Sequence, residues 1–292
     1  MKVGLLGIGA IGSVIAHCID PVHDIYYYNR SDKTKIEIIK GGTLYSKDIV
    51  LSDAAENVPL DWLLICLKEY HYNEAHGILQ SLITQQTKVA VIRNGINIKE
   101  SILKYTSADN IIECIIDCPT QLQSDGVYHN LYDPIIKLES GIITPSFRRL
   151  FIPRLLKIIE VEDYHTESWK KLIESSALGS ILCLTGQTCW IFRDLEVVNI
   201  YGRIVDESID AAIADGAQIE PEFKSQLLEK IKKYPNDKGS SMLTDRKKGQ
   251  PIELYAKNGI ISKIAKSHNI NTELNDTISL LLSYINIEPQ TD

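Results

Sequence analysis

The sequence predicts an α/β domain built on a doubly wound parallel sheet, followed by an all-helical domain, with the boundary near Tyr164. Three observations carry this. Short, continuously apolar runs such as Leu64-Ile65-Cys66-Leu67 alternate with helical spacings through the first half, as expected of parallel strands covered on both faces. A glycine-punctuated turn directly follows the first such run. From Glu167 onward strand signals fade and helical periodicity takes over. The expected domains are residues 1–164 and 165–292, each large enough to bury its own core.

The elements follow in order. Lys2–Gly7 is an apolar run ending in glycine, and Ala10–Asp20 has helical character: strand, tight turn, helix. Asp24–Asn29 is a second short strand. Lys35–Ile39 and Asp48–Leu51, around Gly41-Gly42, predict a small hairpin on the sheet edge. Asp61–Leu67 is a strongly apolar strand, Asn73–Ile83 a helix, and Lys88–Ile92 and Ile111–Ile116 two more buried strands. Gly126–Thr144 alternates and is rich in turn residues, which suggests antiparallel additions to the same domain. The second domain contains helical stretches at Glu167–Leu184, Leu195–Asp215, Glu220–Lys233, Gln250–Ser267 and Glu273–Ile285. Gly216, Asn236–Gly239 and Asn269–Asn271 punctuate them. Ser175 to Phe192 carries no charge, but Ser180, Thr185, Gly186, Gln187 and Thr188 make it too polar for a membrane span. It reads as a buried helix pair in a domain core.

Composition excludes several function classes. The 31 basic and 38 acidic residues leave a formal charge of −7, and no long Lys/Arg run offers a phosphate-backbone contact, so nucleic acid is disfavoured. Six scattered cysteines sit mostly in apolar stretches, which fits a reducing compartment without a disulfide framework. Cys114 and Cys118 lack a second Cys or His pair, and the seven histidines show no ligand spacing, so no metal site is expected. The N-terminus breaks into glycines at once and does not read as a secretory signal. A cytoplasmic protein is expected.

Gly7-Ile8-Gly9-Ala10-Ile11-Gly12 fits G-x-G-x-x-G, and its position between a strand and a helix makes it informative. Gly7 suits the sharp turn, Gly9 lets backbone approach a pyrophosphate, and Gly12 lets the helix pack on the strand. The helix N-terminus adds amide donors and partial positive charge. This predicts a Rossmann-type dinucleotide site. The next strand ends at Tyr28-Asn29-Arg30, with Lys33 and Lys35 close behind. A guanidinium there matches a 2′-phosphate and favours NADP over NAD, while Asp32 is the alternative ligand for a ribose hydroxyl.

Further residues carry a family resemblance. After the glycine turn come Leu67-Lys68 and Asn94-Gly95, each closing a strand. In the helical half stand Trp169-Lys170-Lys171-Leu172, Gly239-Ser240-Ser241-Met242 with Asp245, Pro251-Ile252-Glu253 and Asn258-Gly259. In this order and spacing the chain resembles the ketopantoate reductase (2-dehydropantoate 2-reductase) family over nearly its whole length. The resemblance implies a Rossmann domain, a helical C-terminal domain and an active-site cleft between them. It also implies NADPH-dependent reduction of 2-dehydropantoate to (R)-pantoate, on the route to pantothenate and coenzyme A. By position, Lys171 is implied as the catalytic acid and Glu253 as the cleft carboxylate. Asn94 is implied as an amide facing cofactor and substrate, Ser241 as a contact to the substrate carboxylate, and Lys68 as the lysine that closes on the cofactor. These types suit the chemistry, because hydride attack on a ketone leaves negative charge on oxygen that a positioned donor must meet.

The sequence also departs from the family, which usually carries Asn four, eight and eighteen residues after the catalytic Lys. Here those positions are Ser175, Gly179 and Cys189. Ser175 and Gly179 remain the expected substrate-facing positions, but without amides that donate and accept. Each hydrogen bond lost to a charged group costs about 1.5–3 kcal/mol. Substrate identity is therefore less fixed than cofactor and reaction type. Three alternatives stay open: a reductase of another small 2-oxo acid, a non-catalytic NADPH sensor, and a dehydrogenase oxidising a 3-hydroxy acid. The expected partners are a small 2-oxo acid and, as a homodimer, a second copy of the chain.

Overall fold

The computed structural model describes residues 1–123 and 126–286; residues 287–292, at the end of the expected second domain, lie outside them. The chain divides into two compact units, Met1–Tyr164 and His165–Asp292.

The first unit is built on β1 (Lys2–Leu6), β2 (Asp24–Tyr28), β5 (Trp62–Ile65), β6 (Lys88–Ile92), β7 (Ile111–Asp117), β10 (Ile135–Glu139) and β11 (Lys157–Val161). They form one sheet in the order β11-β10-β7-β6-β5-β1-β2. β2, β1, β5, β6 and β7 run parallel, and β10 joins β7 antiparallel. The sheet buries both faces, as its apolar runs require. Leu64, Ala90 and Ile92 face a core with helix α1 (Ala10–Cys18), whereas Leu63, Ile65, Val89 and Val91 face a second core with α2 (His76–Leu82). From β1 the chain goes to β2 on one side and later returns to β5 on the other. The strand order thus reverses beside the carboxyl end of β1, the place where open α/β sheets bind ligands.

The hairpin around Gly41-Gly42 departs from expectation. Its strands are β3 (Lys35–Lys40) and β4 (Thr43–Asp48), and they do not extend the main sheet. They form a separate four-stranded sheet, β4-β3-β9-β8, with β8 (Thr120–Leu122) and β9 (Tyr128–Asn130). Ile36 and Ile38 point into the α1 core, so alternate burial drives the hairpin onto the helix rather than onto the sheet edge. Leu51 makes only an isolated bridge, to Tyr27. The antiparallel additions in Gly126–Thr144 therefore fall in two sheets: β9 pairs antiparallel with β8 but parallel with β3, and β10 enters the main sheet. A short helix, α3 (Thr144–Arg148), closes this region.

The second unit is helical: α4 (Tyr164–Thr185), α5 (Leu195–Ala214), α6 (Phe223–Lys232), α7 (Ser241–Lys247), α8 (Ile260–Ser267) and α9 (Glu273–Ser283). α4 is buried almost throughout its middle; Trp169 is fully buried and its indole N–H donates to Asp215 Oδ2 at 2.9 Å. Side-chain caps set two helix starts. Asp194 accepts from the Glu196 amide at α5, and Ser240 accepts from the Leu243 amide at α7, each cap stabilising by about 1 kcal/mol. At α9, Glu207 of α5 reaches across to accept the Leu274 and Asn275 amides, both at 2.8 Å. The expected helix over Gln250–Ser267 is shorter than its periodicity suggested. Gln250–Leu254 is irregular, and a single wide turn over Tyr255–Gly259 leads into α8, with the Gly259 amide bonding back five residues to Leu254 O at 2.9 Å. Pro251 lacks an amide hydrogen and biases Gln250 away from helix, which delays the start. No helix among the described residues is long and apolar enough to cross a membrane.

Candidate active site

In the first unit the candidate residues gather at the carboxyl end of β1. Gly7 has φ +92°, a left-handed conformation that glycine adopts without strain, and its amide donates to Tyr28 O at 2.9 Å. A Cβ on Gly12 would lie 1.9 Å from Gly7 O, so only glycine lets α1 start this close to the strand. A Cβ on Gly9 would meet nothing within 4 Å. The first intrahelical bond is Ser13 N–H to Gly9 O, so the amides of Ala10, Ile11 and Gly12 precede it as donors at the helix start. Open space over Gly9 and donors behind it fit a pyrophosphate.

Side chains from after β2 hold this turn. Asn29 Oδ1 accepts from Ile8 N–H at 2.9 Å, and Lys33 Nζ donates to Ile8 O at 2.9 Å. Burial pushes the Lys33 ammonium below the ordinary lysine value. It lies 5.1 Å from the centre of the Tyr128 ring. Burial raises the Tyr128 hydroxyl, and the nearby positive charge of Lys68 opposes that shift. Tyr128 of β9 is thus acted on by Lys68 and lies near Lys33. Arg30 is exposed and pairs with Glu74 at 2.7 Å, an exposed carboxylate that also contacts His71. Asn94 closes β6 as expected; its Oδ1 accepts the Ile116 amide at 3.1 Å and ties that strand end to β7.

In the second unit, Lys171, Ser175 and Gly179 repeat every four residues and share one face of α4. Lys170 is engaged by Glu220 at 2.6 Å and Glu167 at 3.6 Å, and Lys171, like its neighbour, is half-buried. Lys171 also acts on Glu174. Burial raises that carboxyl, but Lys230 at 2.6 Å, the charge of Lys171 and the Tyr234 hydroxyl at 2.8 Å together hold it below its ordinary 4.5. Ser175 Oγ donates to Leu172 O at 3.3 Å within its own helix. Gly179 is buried, and a Cβ there would lie 2.9 Å from Met242 Sδ. Ser241 is exposed and its hydroxyl accepts from Lys257 Nζ at 3.1 Å; the cap of α7 is its neighbour Ser240. Glu253 is half-buried in the irregular segment before the wide turn. Cys189 is buried, its thiol pushed up to about 11 by desolvation, and its amide donates to Lys238 O. It packs as an apolar side chain. The structure thus joins Gly179 and Ser241 through Met242 and Lys257.

Sequence reasoning missed Glu174 and the role of Lys257, and it named Lys33 only as a charge near Arg30. The signal for Lys257 was a lysine within an otherwise apolar helical stripe. No comparable signal marked Glu174, whose partner Tyr234 is 60 residues away.

A sheet reversing at a glycine turn in the first unit, and a second, helical unit that carries lysine and carboxylate, fit the class of dinucleotide-binding oxidoreductases. More narrowly, the chain belongs to the ketopantoate reductase PanE/ApbA family: that family's model matches residues 3–140, and the model of its C-terminal domain matches residues 163–286. The 2-dehydropantoate 2-reductase of Caulobacter vibrioides is 25% identical over 285 residues, covering 97% of this chain and 98% of its own. That of Mycobacterium tuberculosis is 24% identical, covering 96% of each. Among solved structures, the dimeric ketopantoate reductase from Staphylococcus aureus superposes with a TM-score of 0.86 at 23% identity, covering 98% of this chain and 99% of that one. A D-mandelate dehydrogenase solved with NADH and anilino(oxo)acetate gives 0.84 at 17% identity, covering 98% of both chains.

Proposed function

We propose that the protein is an NADPH-dependent reductase that converts 2-dehydropantoate to (R)-pantoate, working in the cytoplasm as a homodimer. The observation that carries this reading is the pairing, in a chain of this family, of an open glycine turn with a half-buried Lys171 on a helix face. In it, residues 1–164 hold the nucleotide, and residues 165–292 supply the proton donor and, together with Asn94, the substrate contacts.

The bound nucleotide supplies the hydride for the carbonyl carbon. Gly7, Ile8, Gly9, Ala10, Ile11 and Gly12 present backbone to its phosphates, and Lys68 and Asn94 contact it further along. Arg30 exchanges its pair with Glu74, weak because both ends are exposed, for a bidentate contact with the 2′-phosphate. Lys171 meets the charge that grows on the carbonyl oxygen and passes a proton to it. Glu253 accepts a hydrogen bond from the hydroxyl that results. Ser241 donates to the substrate carboxylate.

The test follows loss of NADPH absorbance with 2-dehydropantoate, with NADH in parallel. Saturable turnover that is faster with NADPH is expected. Tight nucleotide binding without turnover on any small 2-oxo acid would leave a sensor. A second reading, reduction of a different 2-oxo acid, is favoured by three observations: Ser175 bonds to its own helix, Gly179 has no side chain and Cys189 is buried. A panel of 2-oxo acids at equal concentration separates the two by kcat/KM.

A further inference from the structure

Lys257 is a charged side chain only 8% exposed, on the wide turn before α8. Wide turns of this kind recur at functional sites. Two observations place this ammonium at the expected substrate positions. Nζ lies 3.1 Å from the hydroxyl of Ser241, an exposed residue. It also lies 3.8 Å from the point where a Cβ on Gly179 would begin. A side chain growing from Gly179 would start against Met242 Sδ, at 2.9 Å, with the ammonium as the next group, and Gly179 is the position where the family resemblance implies a substrate-facing amide. Asp245 and Arg246 of α7 act together with Lys257 on the Cys183 thiol. Arg246 is occupied at the end of α4, donating to the Cys183 and Leu184 carbonyls. Asp245 is a buried carboxylate of the same cluster.

We propose that Lys257 is a specificity-determining residue. Its ammonium, together with the Ser241 hydroxyl, binds the carboxylate of a 2-oxo acid and replaces the missing amide at Gly179. This rests on the reductase reading for its substrate class, but it adds a charge where an amide would offer only a dipole. An amide can hold a carboxylate or its neutral analogue. An ammonium with a hydroxyl prefers the anion, because hydrogen bonds to ionised partners are roughly twice as strong as neutral ones.

The experiment compares wild type with Lys257→Met and Lys257→Gln. Initial rates are measured with NADPH on 2-dehydropantoate and on its neutral primary amide, and oxalate binding is measured by calorimetry. Lys257→Met is expected to raise KM for the acid about tenfold or more while kcat changes less than about threefold, and to leave KM for the amide unchanged. Oxalate affinity should fall by the same factor as the acid. Equal KM for the acid in wild type and variant overturns the proposal, as does an equal rise for acid and amide, because that marks a structural lysine. Circular dichroism establishes that the variant is folded; if Lys257→Met is not, Lys257→Gln, which keeps length and polarity but not charge, is judged by the same criteria. If wild type reduces no 2-oxo acid, the reductase reading fails, and oxalate alone decides the role of Lys257. Binding that weakens about tenfold in the variant then supports it, and equal binding, or none in wild type, overturns it.

Discussion

The glycine turn and the lysine face of α4 follow different rules. At the turn, backbone does the work: Gly7 has the unusual φ, Gly12 leaves no room for a Cβ and Gly9 faces open space. Gly7 and Gly12 hold places that only glycine fills without strain or clash, so a short motif specifies the geometry. On α4 the roles proposed above fall to side-chain ends, which neighbours can redistribute. A glycine at position 179 brings Met242 and Lys257 close, and their chemistry stands where another side chain would have reached. The pyrophosphate is the same in NAD and NADP, whereas a substrate carboxylate can be met from several directions. The turn therefore stays close to its general pattern and the helix face departs from its own.

The largest expected effect sharpens this contrast. Lys171→Ala should lower kcat by at least about 10²-fold, the low end for general acid catalysis, while NADPH affinity measured by fluorescence titration stays nearly constant. A variant that loses nucleotide affinity and turnover in parallel would erase the division of labour. Arg30→Ala should come next, weakening NADPH by about tenfold or more, the loss expected of charge-assisted bonds to a phosphate, with little change for NADH. Equal weakening would show that Arg30 serves only Glu74.

These two tests bear on residues that the sequence already displayed, and the reason is physical. Strand runs such as Leu63-Leu64-Ile65 announce burial on both faces, and G-x-G-x-x-G names the residues that a tight strand-to-helix turn permits. Lys171, Ser175 and Gly179 are legible as a face because helical spacing is local. The position of the β3–β4 hairpin was not legible, since a period-two pattern gives the buried face of a strand but not the layer that buries it. Nor was the wide turn at Tyr255–Gly259, where apolar spacing continued through a stretch that Pro251 delays from becoming helix. Lys257 and Glu174 depend on contacts 16 and 60 residues away, with Ser241 and Tyr234.

The smallest expected effect concerns Glu174. Its carboxyl is held below the ordinary 4.5 in the folded protein, so as pH falls the unfolded chain takes up that proton first, and the stability it contributes is lost from about pH 5 downward. Thermal melts between pH 7 and 3 should show Glu174→Gln melting a few degrees below wild type at neutral pH, about the shift expected of 1 kcal/mol, with the two curves converging in acid. Parallel curves at every pH would mean that the carboxylate charge facing Lys230 and Lys171 contributes nothing.

Ile8 is gripped on both sides of its residue, by Asn29 at the amide and Lys33 at the carbonyl. A loop secured in this way has little conformational entropy left to surrender when a nucleotide arrives, so the ordering cost of complex formation falls during folding instead. Association at the turn then needs no slow rearrangement, and nucleotide capture should proceed at a rate set mainly by diffusion and orientation.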